Sequence, residues 1–419
     1  MWMWLLLPAM AQTSDVVQTT VGGQATHSRA LGASDVDVVF GERVRWSVSD
    51  VTRLWMDAMF TYDTDSSTFE RSRVRSLGVT TETGPIQWAV GRHPVRYGGP
   101  RLVDGIQGIY QSEGFEVGAW GGLAPDLFTT RPMLRPGGGP VLGYRKPSGQ
   151  ITLVGEVTAT EGGLDRASSL LTGRVKGGTA WDASGRIDWQ LSDAAGASGL
   201  ADASTFIQWR PADAFRVDVL ADAWSSLRYR QSALLDPTVQ RWVARTQPLV
   251  DPLPGGEEAL DPTVHGMVGL RPEVRAGVTR VSVLARYRPG SVEEQFFRVQ
   301  PMVRFTGIVD GRVDVMADAN LVFLDTGLSA SAGPTVLVEL TPSRALWIDG
   351  SVRAVLDPSY EGPGWYADAY IDWLGPAGLV LMAGAAYELE PVAELDDVGL
   401  TALVRVQHRF QRKRDDAPR

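Results

Sequence analysis

Arg92, Arg96, Arg101 and Asp104 crowd into residues 88–108, which read WAVGRHPVRYGGPRLVDGIQG. Charges of both signs on one short loop make and break no bonds. Where such a loop narrows a passage, they set a transverse field that sorts solutes by size and dipole. On an open surface the same run is ordinary turn chemistry, since Gly and Pro punctuate it. Bond-making chemistry has little else to draw on. The chain holds 4 His, at positions 27, 93, 265 and 408, and no Cys. His93 precedes a proline in GRHPV and His265 opens a strand-like run in VHGMV, and neither sits in a hydrolase motif. Without Cys there are no disulfides, thiolate metal sites or Cys nucleophiles. The phosphate-binding P-loop, the HExxH motif and the EF-hand loop are absent. The acidic run GGEE at 255–258 has too few spaced oxygens for calcium. No catalytic residue, cofactor or metal site is expected.

The remaining composition narrows the class. The chain has 419 residues and a formal net charge of −9. Its basic residues are nearly all Arg, with Lys only at 146, 176 and 413. A mildly acidic chain without a basic stripe argues against nucleic acid as a partner. The length suits two or three soluble domains or one large barrel. The first residues, MWMWLLLPAMAQ, form a short apolar run ending in Ala9, Met10 and Ala11. That pattern predicts a signal peptide over 1–11, though the usual positive start is missing, and the absence of Cys suits passage through an oxidising periplasm. No run approaches the roughly 18–20 apolar residues of a membrane helix, and residues 378–386 come nearest. A membrane location therefore requires strands.

Strand signals dominate. Segments of about 8–13 residues alternate between apolar and polar, separated by Gly, Pro, Asp and Ser clusters. In residues 181–189, Trp181, Ala183, Gly185, Ile187 and Trp189 share a face against Asp182, Ser184, Arg186 and Asp188. In 297–305, Phe297 and Phe305 bracket Val299, Pro301 and Val303, against Arg298, Gln300, Met302 and Arg304. In 365–373, Trp365 and Trp373 bracket Ala367, Ala369 and Ile371, against Tyr366, Asp368, Tyr370 and Asp372. Eight steps of about 3.3 Å make about 26 Å. A strand tilt near 40° reduces this to about 20 Å, close to the apolar band between the aromatic girdles of a membrane barrel. These six aromatics, with Phe410, are the expected girdle residues.

The opposite faces are charged, and in a barrel they meet a watery lumen. Arg186, Asp188, Arg216, Asp218, Arg304, Arg312, Asp314, Arg353, Asp368, Asp372 and Arg405 are the expected lining. Arg and Asp are nearly balanced there, which predicts weak ion selectivity. In a soluble protein the same faces would simply meet solvent. Their thin apolar faces, rich in Ala, Val and Gly, suit lipid better than a packed core. Connections alternate in length, short at 146–150, 210–214, 341–344 and 375–378, longer at 62–70, 122–139, 191–201 and 356–362. The longest, about 227–262, is a candidate cap or plug.

Two stretches carry a family resemblance. Residues 400–410, LTALVRVQHRF, alternate strictly up to Phe410. This resembles the closing strand of bacterial outer-membrane β-barrels, whose terminal Phe is read by the barrel-assembly machinery. It departs by placing His408 at an apolar position and by adding a polar tail, 411–419. Residues 88–108 resemble a segment of porin-like barrels, where a strand ending in Gly-Arg leads into a Gly-rich loop and an Asp-Gly opens the next strand. In general porins this third outer loop folds inward, which implies a constriction formed by Arg92, Arg96, Arg101 and Asp104. The resulting expectation is an all-β chain, with residues 12–410 forming a single antiparallel transmembrane β-barrel of about 20–22 strands, within a range of about 16–22. It would be exported through the periplasm to the outer membrane of a Gram-negative cell, surrounded by lipid, and would pass small hydrophilic solutes by diffusion without enzymatic chemistry. A structural or adhesive barrel, an enzymatic barrel, and a soluble periplasmic all-β protein are the alternatives. The last should show a fixed repeat, and none is visible.

Overall fold

The computed structural model describes residues 14–413 apart from 29–32, 64–72, 97–100, 126–133, 161–162, 194–195, 226–263, 290–295, 325–326, 342–344, 359 and 393–394. The expected signal peptide at 1–11 and the loop at 227–262 therefore lie outside the described residues. The strands form one 22-stranded antiparallel sheet in which each strand pairs with its sequence neighbours. The sheet closes where β1 (Ser14–Ser28) runs against β22 (Leu395–Lys413). Closure leaves no edge, so every strand finds partners on both sides, as a bilayer demands.

The alternation read from the sequence becomes two surfaces. Val36, Val38 and Phe40 on β2 (Ala33–Ser47), Ile187 and Trp189 on β11 (Trp181–Asp193), and Leu400, Val404 and Val406 on β22 are all exposed on the outward side. A continuous outward surface of exposed Val, Leu, Ile and Trp around a closed barrel is a membrane-spanning surface. The end carrying both chain termini has tight turns. Between β6 (Leu102–Ser112) and β7 (Phe115–Leu123), Glu113 and Gly114 take φ of 47° and 90°, the two positive values that a type I′ hairpin needs. The opposite end carries the longer connections, including 95–101 and 124–135. The second is shorter than the sequence suggests, because β8 (Pro136–Lys146) already begins at Pro136.

Proline sits inside several central strands, against its usual confinement to edges. The ladder from β8 to β9 (Gly149–Thr160) skips Gly139 and Pro140, while Pro140 stays opposite Ala119 on the other side. Pro140 has no N–H to give, and the nearby Gly155 carbonyl instead accepts the Trp120 indole N–H at 3.1 Å. Similar skips occur at 271–272, 300–301 and 333–334. Each proline keeps its place opposite the preceding strand and loosens the ladder to the following one.

Candidate functional site

Which face points inward follows from one contact. Arg101, at the end of the connection joining β5 (Ile86–Pro94) to β6, donates to Asp188 of β11 at 2.9 Å. A round barrel of 22 strands, spaced about 4.8 Å apart and tilted about 40°, is roughly 44 Å across, which sets β6 and β11 about 29 Å apart. Two side chains cannot bridge that distance. The contact exists because Arg101 points into the lumen and the wall between β6 and β11 is folded tightly. Glycine permits the fold. A Cβ on Gly139 would lie 2.1 Å from the Gly155 carbonyl oxygen, and one on Gly105 would lie 2.1 Å from that of Gly121.

Inside this folded sector a small apolar core forms. Val95, Val103, Ile109, Trp120, Val141, Val154 and Leu170 are all buried together. Each buried aliphatic side chain contributes about 1.5–3 kcal/mol, so the start of the connection, at Val95, is anchored by packing. Its charged ends are anchored in opposite directions. Arg96 reaches along the wall to Glu116 at 2.9 Å and also donates to Gln87, while its backbone N–H donates to Gln107 at 3.2 Å. Arg101 donates to Glu156 at 2.8 Å and to Ser168 at 3.0 Å, besides Asp188. Burial pulls Arg96 below the usual arginine range, with Glu116 and Glu82 opposing it. Burial acts the same way on Arg101, but Glu156 and Asp188 together raise it above that range.

The network continues beyond Arg101. Arg166 of β10 (Gly163–Gly177) lies 3.3 Å from Asp188. Arg135, at the end of the next outer connection, lies 3.7 Å from Asp165, which also accepts from Thr158 at 3.1 Å. Both outer connections are thus tied by buried charge to the β9–β11 wall. The other half of the expected constriction is elsewhere. Arg92 and Asp104 form a pair at 2.5 Å, but they are directly opposite each other and share the parity of Val90 and Ile106, the outward side. Of the four residues, Arg96 and Arg101 turn inward and Arg92 and Asp104 do not.

Register carried around the barrel places Arg186, Asp188, Arg216, Asp218, Arg304, Asp314, Arg353, Asp368, Asp372 and Arg405 on the inward face. Arg312 is the exception. It sits in the turn before β17 (Val313–Leu324), where Val309, Asp310 and Gly311 all have positive φ and end the alternation. Trp181, Trp189, Phe297, Phe305, Trp365 and Trp373 have outward parity, and the first five are clearly exposed. The backbone of Phe410 pairs with Val17, and its side chain is outside the described residues.

The rest of the inward face carries paired charges. Asp218 on β13 (Phe215–Trp224), fully buried, accepts from Arg216 at 2.9 Å and from Arg271 at 3.0 Å. Arg304 meets Asp314 at 2.8 Å, and Arg353 meets Asp318 at 2.5 Å. On β15 (Thr279–Arg288) and β16 (Phe296–Gly307) like charges face each other directly, Arg280 opposite Arg304 and Arg286 opposite Arg298. On β19 (Leu346–Leu356) and β20 (Gly364–Leu374) the balance reverses, with Asp349, Asp368 and Asp372 inward. A cavity of about 280 Å³ beside them is lined by Tyr366, Tyr370, Glu388, Thr401 and Leu403, among others. Glu116, Glu156, Arg135, Asp165 and Arg166 were not singled out in the sequence. Glu116 and Glu156 alternate with exposed Val117 and Val157 and were legible on that ground, whereas irregular pairing between Leu164 and Arg166 hides Asp165 and Arg166.

Two of the histidines pack against tryptophans. His93 is buried against Trp55, with ring centroids 6.3 Å apart, and its Nδ1 contacts the Gly91 carbonyl at 2.9 Å. His265 stacks on Trp224 at 6.1 Å. Among the described residues no three His, Asp or Glu side chains are placed to hold a metal.

No protein-family model matches this chain, and no curated protein matches it. Solved structures with a similar barrel include three from Pseudomonas aeruginosa. OccK8 (OprE) matches at 8% identity with a TM-score of 0.44, covering 95% of this chain and 98% of its own. OpdQ matches at 9% identity and 0.42, covering 95% and 98%. The outer membrane protein OprD matches at 10% identity and 0.39, covering 96% and 94%.

Proposed function

We propose that this protein is a porin-like channel of a Gram-negative outer membrane, through which small hydrophilic solutes diffuse passively. The observation that carries this reading is Arg101. An outer connection sends Arg101 into the barrel, where buried charge fixes it, which narrows a wide cylinder from one side. The remaining wall presents paired and unpaired charges to water. Arg280, Arg286, Arg298 and Arg304 line one arc, and Asp349, Asp368, Asp372 and Glu388 line another a few strands away. A solute passing between them meets opposite fields side by side, so polar molecules carrying both charges fit this passage better than large or uniformly charged ones. Transport of this kind needs no cofactor and no covalent step. Residues 1–11 serve export in this reading, and the strand carrying Phe410, which runs on to Lys413, is what the assembly machinery engages.

The test is electrical. The purified, refolded chain is added to a planar lipid bilayer, and discrete steps of conductance are expected. A chain that shows the heat-dependent gel shift of a folded barrel yet never conducts would sink the channel reading and leave a structural or adhesive barrel.

A further inference from the structure

Apart from Asp104 in its pair with Arg92, the described outward face carries a carboxylate where lipid is expected. Glu42 of β2 stands between Phe40 and Val44 on the membrane-facing side, and Trp46 closes the strand two steps beyond. Four residues along a tilted strand put Glu42 about 10 Å above Trp46, inside the apolar band. Its register partner on β1 is Thr19, whose hydroxyl donates to the Glu42 carboxylate at 2.7 Å. The next partner in the same row is His408 on β22, also outward and exposed. On the other side, Glu42 faces Ala58 of β3 (Thr52–Asp63), a small side chain that is itself buried. A carboxylate turned to hydrocarbon is costly, and a polar row within a membrane surface marks a contact rather than bulk lipid.

We infer that the face over β22, β1 and β2 is covered by a second copy of this chain, related by a two-fold axis along the membrane normal. The row is self-complementary. With the axis passing near Thr19, Glu42 of one copy meets His408 of the other, and the same contact repeats on the far side. About 20 Å further along the strands the surface again favours close approach, since Ala385, Ala402 and Ala25 stand in direct register on three consecutive strands. Self-complementarity selects a second copy over an unrelated partner or a lipid headgroup. The inference rests on the barrel lying in a membrane but not on what passes through it.

The test uses the full chain refolded in a mild detergent, with its mass measured by light scattering and its folding checked by the heat-dependent gel shift. A two-copy particle is expected. Glu42→Leu and His408→Leu should each weaken the pair by at least about tenfold, as loss of a buried charged contact does. Exchanging the two, with Glu42→His and His408→Glu together, should restore it. A folded single-copy particle, or a pair indifferent to all three variants, overturns the inference while leaving the barrel intact. Absence of any heat shift in the unaltered chain would instead strike the membrane reading on which it rests.

Discussion

Replacing Arg101 by Met tests whether the outer connection is held in the lumen by charge. Its side chain is 4% exposed and that of its partner Glu156 is 1% exposed, so water does not screen the pair. The methionine keeps most of the volume but leaves two acids, Glu156 and Asp188, without the guanidinium. Removing one member of a buried ion pair typically costs about 3–5 kcal/mol. Each ~1.4 kcal/mol is tenfold, so the ratio of inward to released connection should fall by about two to three orders of magnitude or more. Packing at Val95 and the contacts of Arg96 with Glu116 and Gln87 remain, so the barrel itself should fold. Single-channel recording should show an added, larger conductance level, with the smaller level rarer than in the unaltered protein. A second variant separates charge from shape. Arg101→Met combined with Glu156→Leu removes both signs, and replacing a buried pair by apolar groups is often nearly neutral. The double variant should recover much of the original conductance. Refutation is direct: if Arg101→Met conducts and unfolds in urea as the unaltered protein does, this ion pair does not hold the connection.

Other changes probe the lumen, the wall and the last strand. Asp218→Asn removes the buried negative charge shared by Arg216 and Arg271, so in a salt gradient the reversal potential should move toward chloride; no movement would place Asp218 outside the permeation path. Gly139→Ala would set a Cβ 2.1 Å from the Gly155 carbonyl oxygen and 2.6 Å from its carbon. Backbone atoms on a paired strand cannot yield that far, so the heat-shifted folded band should be lost, and a normal band would show that the wall is not folded tightly there. Trp120→Phe removes one hydrogen bond to Gly155 and should cost about 1 kcal/mol, read as a lower urea midpoint. Deleting Phe410 should impair assembly far more than removing residues 414–419, and equal effects would show that the assembly signal lies elsewhere.

The fold was legible because its period is two. Trp181 and Trp189, or Trp365 and Trp373, can bracket an apolar face eight residues long only in an extended strand. Once strands are established, a chain with turns every dozen residues and no membrane helix has one closed solution in lipid. The strand number of 22 falls at the upper end of the expected range, whose width reflects boundary errors of several residues per element, and Pro272 and Pro334 sit within strands at local ladder skips. The folded sector was not legible. It depends on glycines meeting backbone across strands, such as Gly105 with Gly121, and such contacts leave no periodic trace. Arg312 was misjudged because alternation was carried through a turn that positive φ values at 309–311 interrupt.

The split of the constriction residues is the instructive case, since the sequence already contained the reason for it. A residue in a paired strand has its side fixed by parity, whatever its charge. Arg92 lies two residues after Val90 and four after Trp88, so any strand that turns those two toward lipid turns Arg92 outward as well. Asp104, directly opposite it, must follow. The last ladder pair is Pro94 with Leu102, and one further backbone bond, from the Val95 N–H to the Arg101 carbonyl, carries the inward parity of Val103 on to Arg101, so that of Arg96 and Arg101 only Arg96 lies beyond the pairing. Arg96 and Arg101 are the two charged residues in that interval, and they are the two that reach into the lumen. Charge decides what a loop side chain binds once it is inside. Parity, and the point where the ladder stops, decide whether it arrives there.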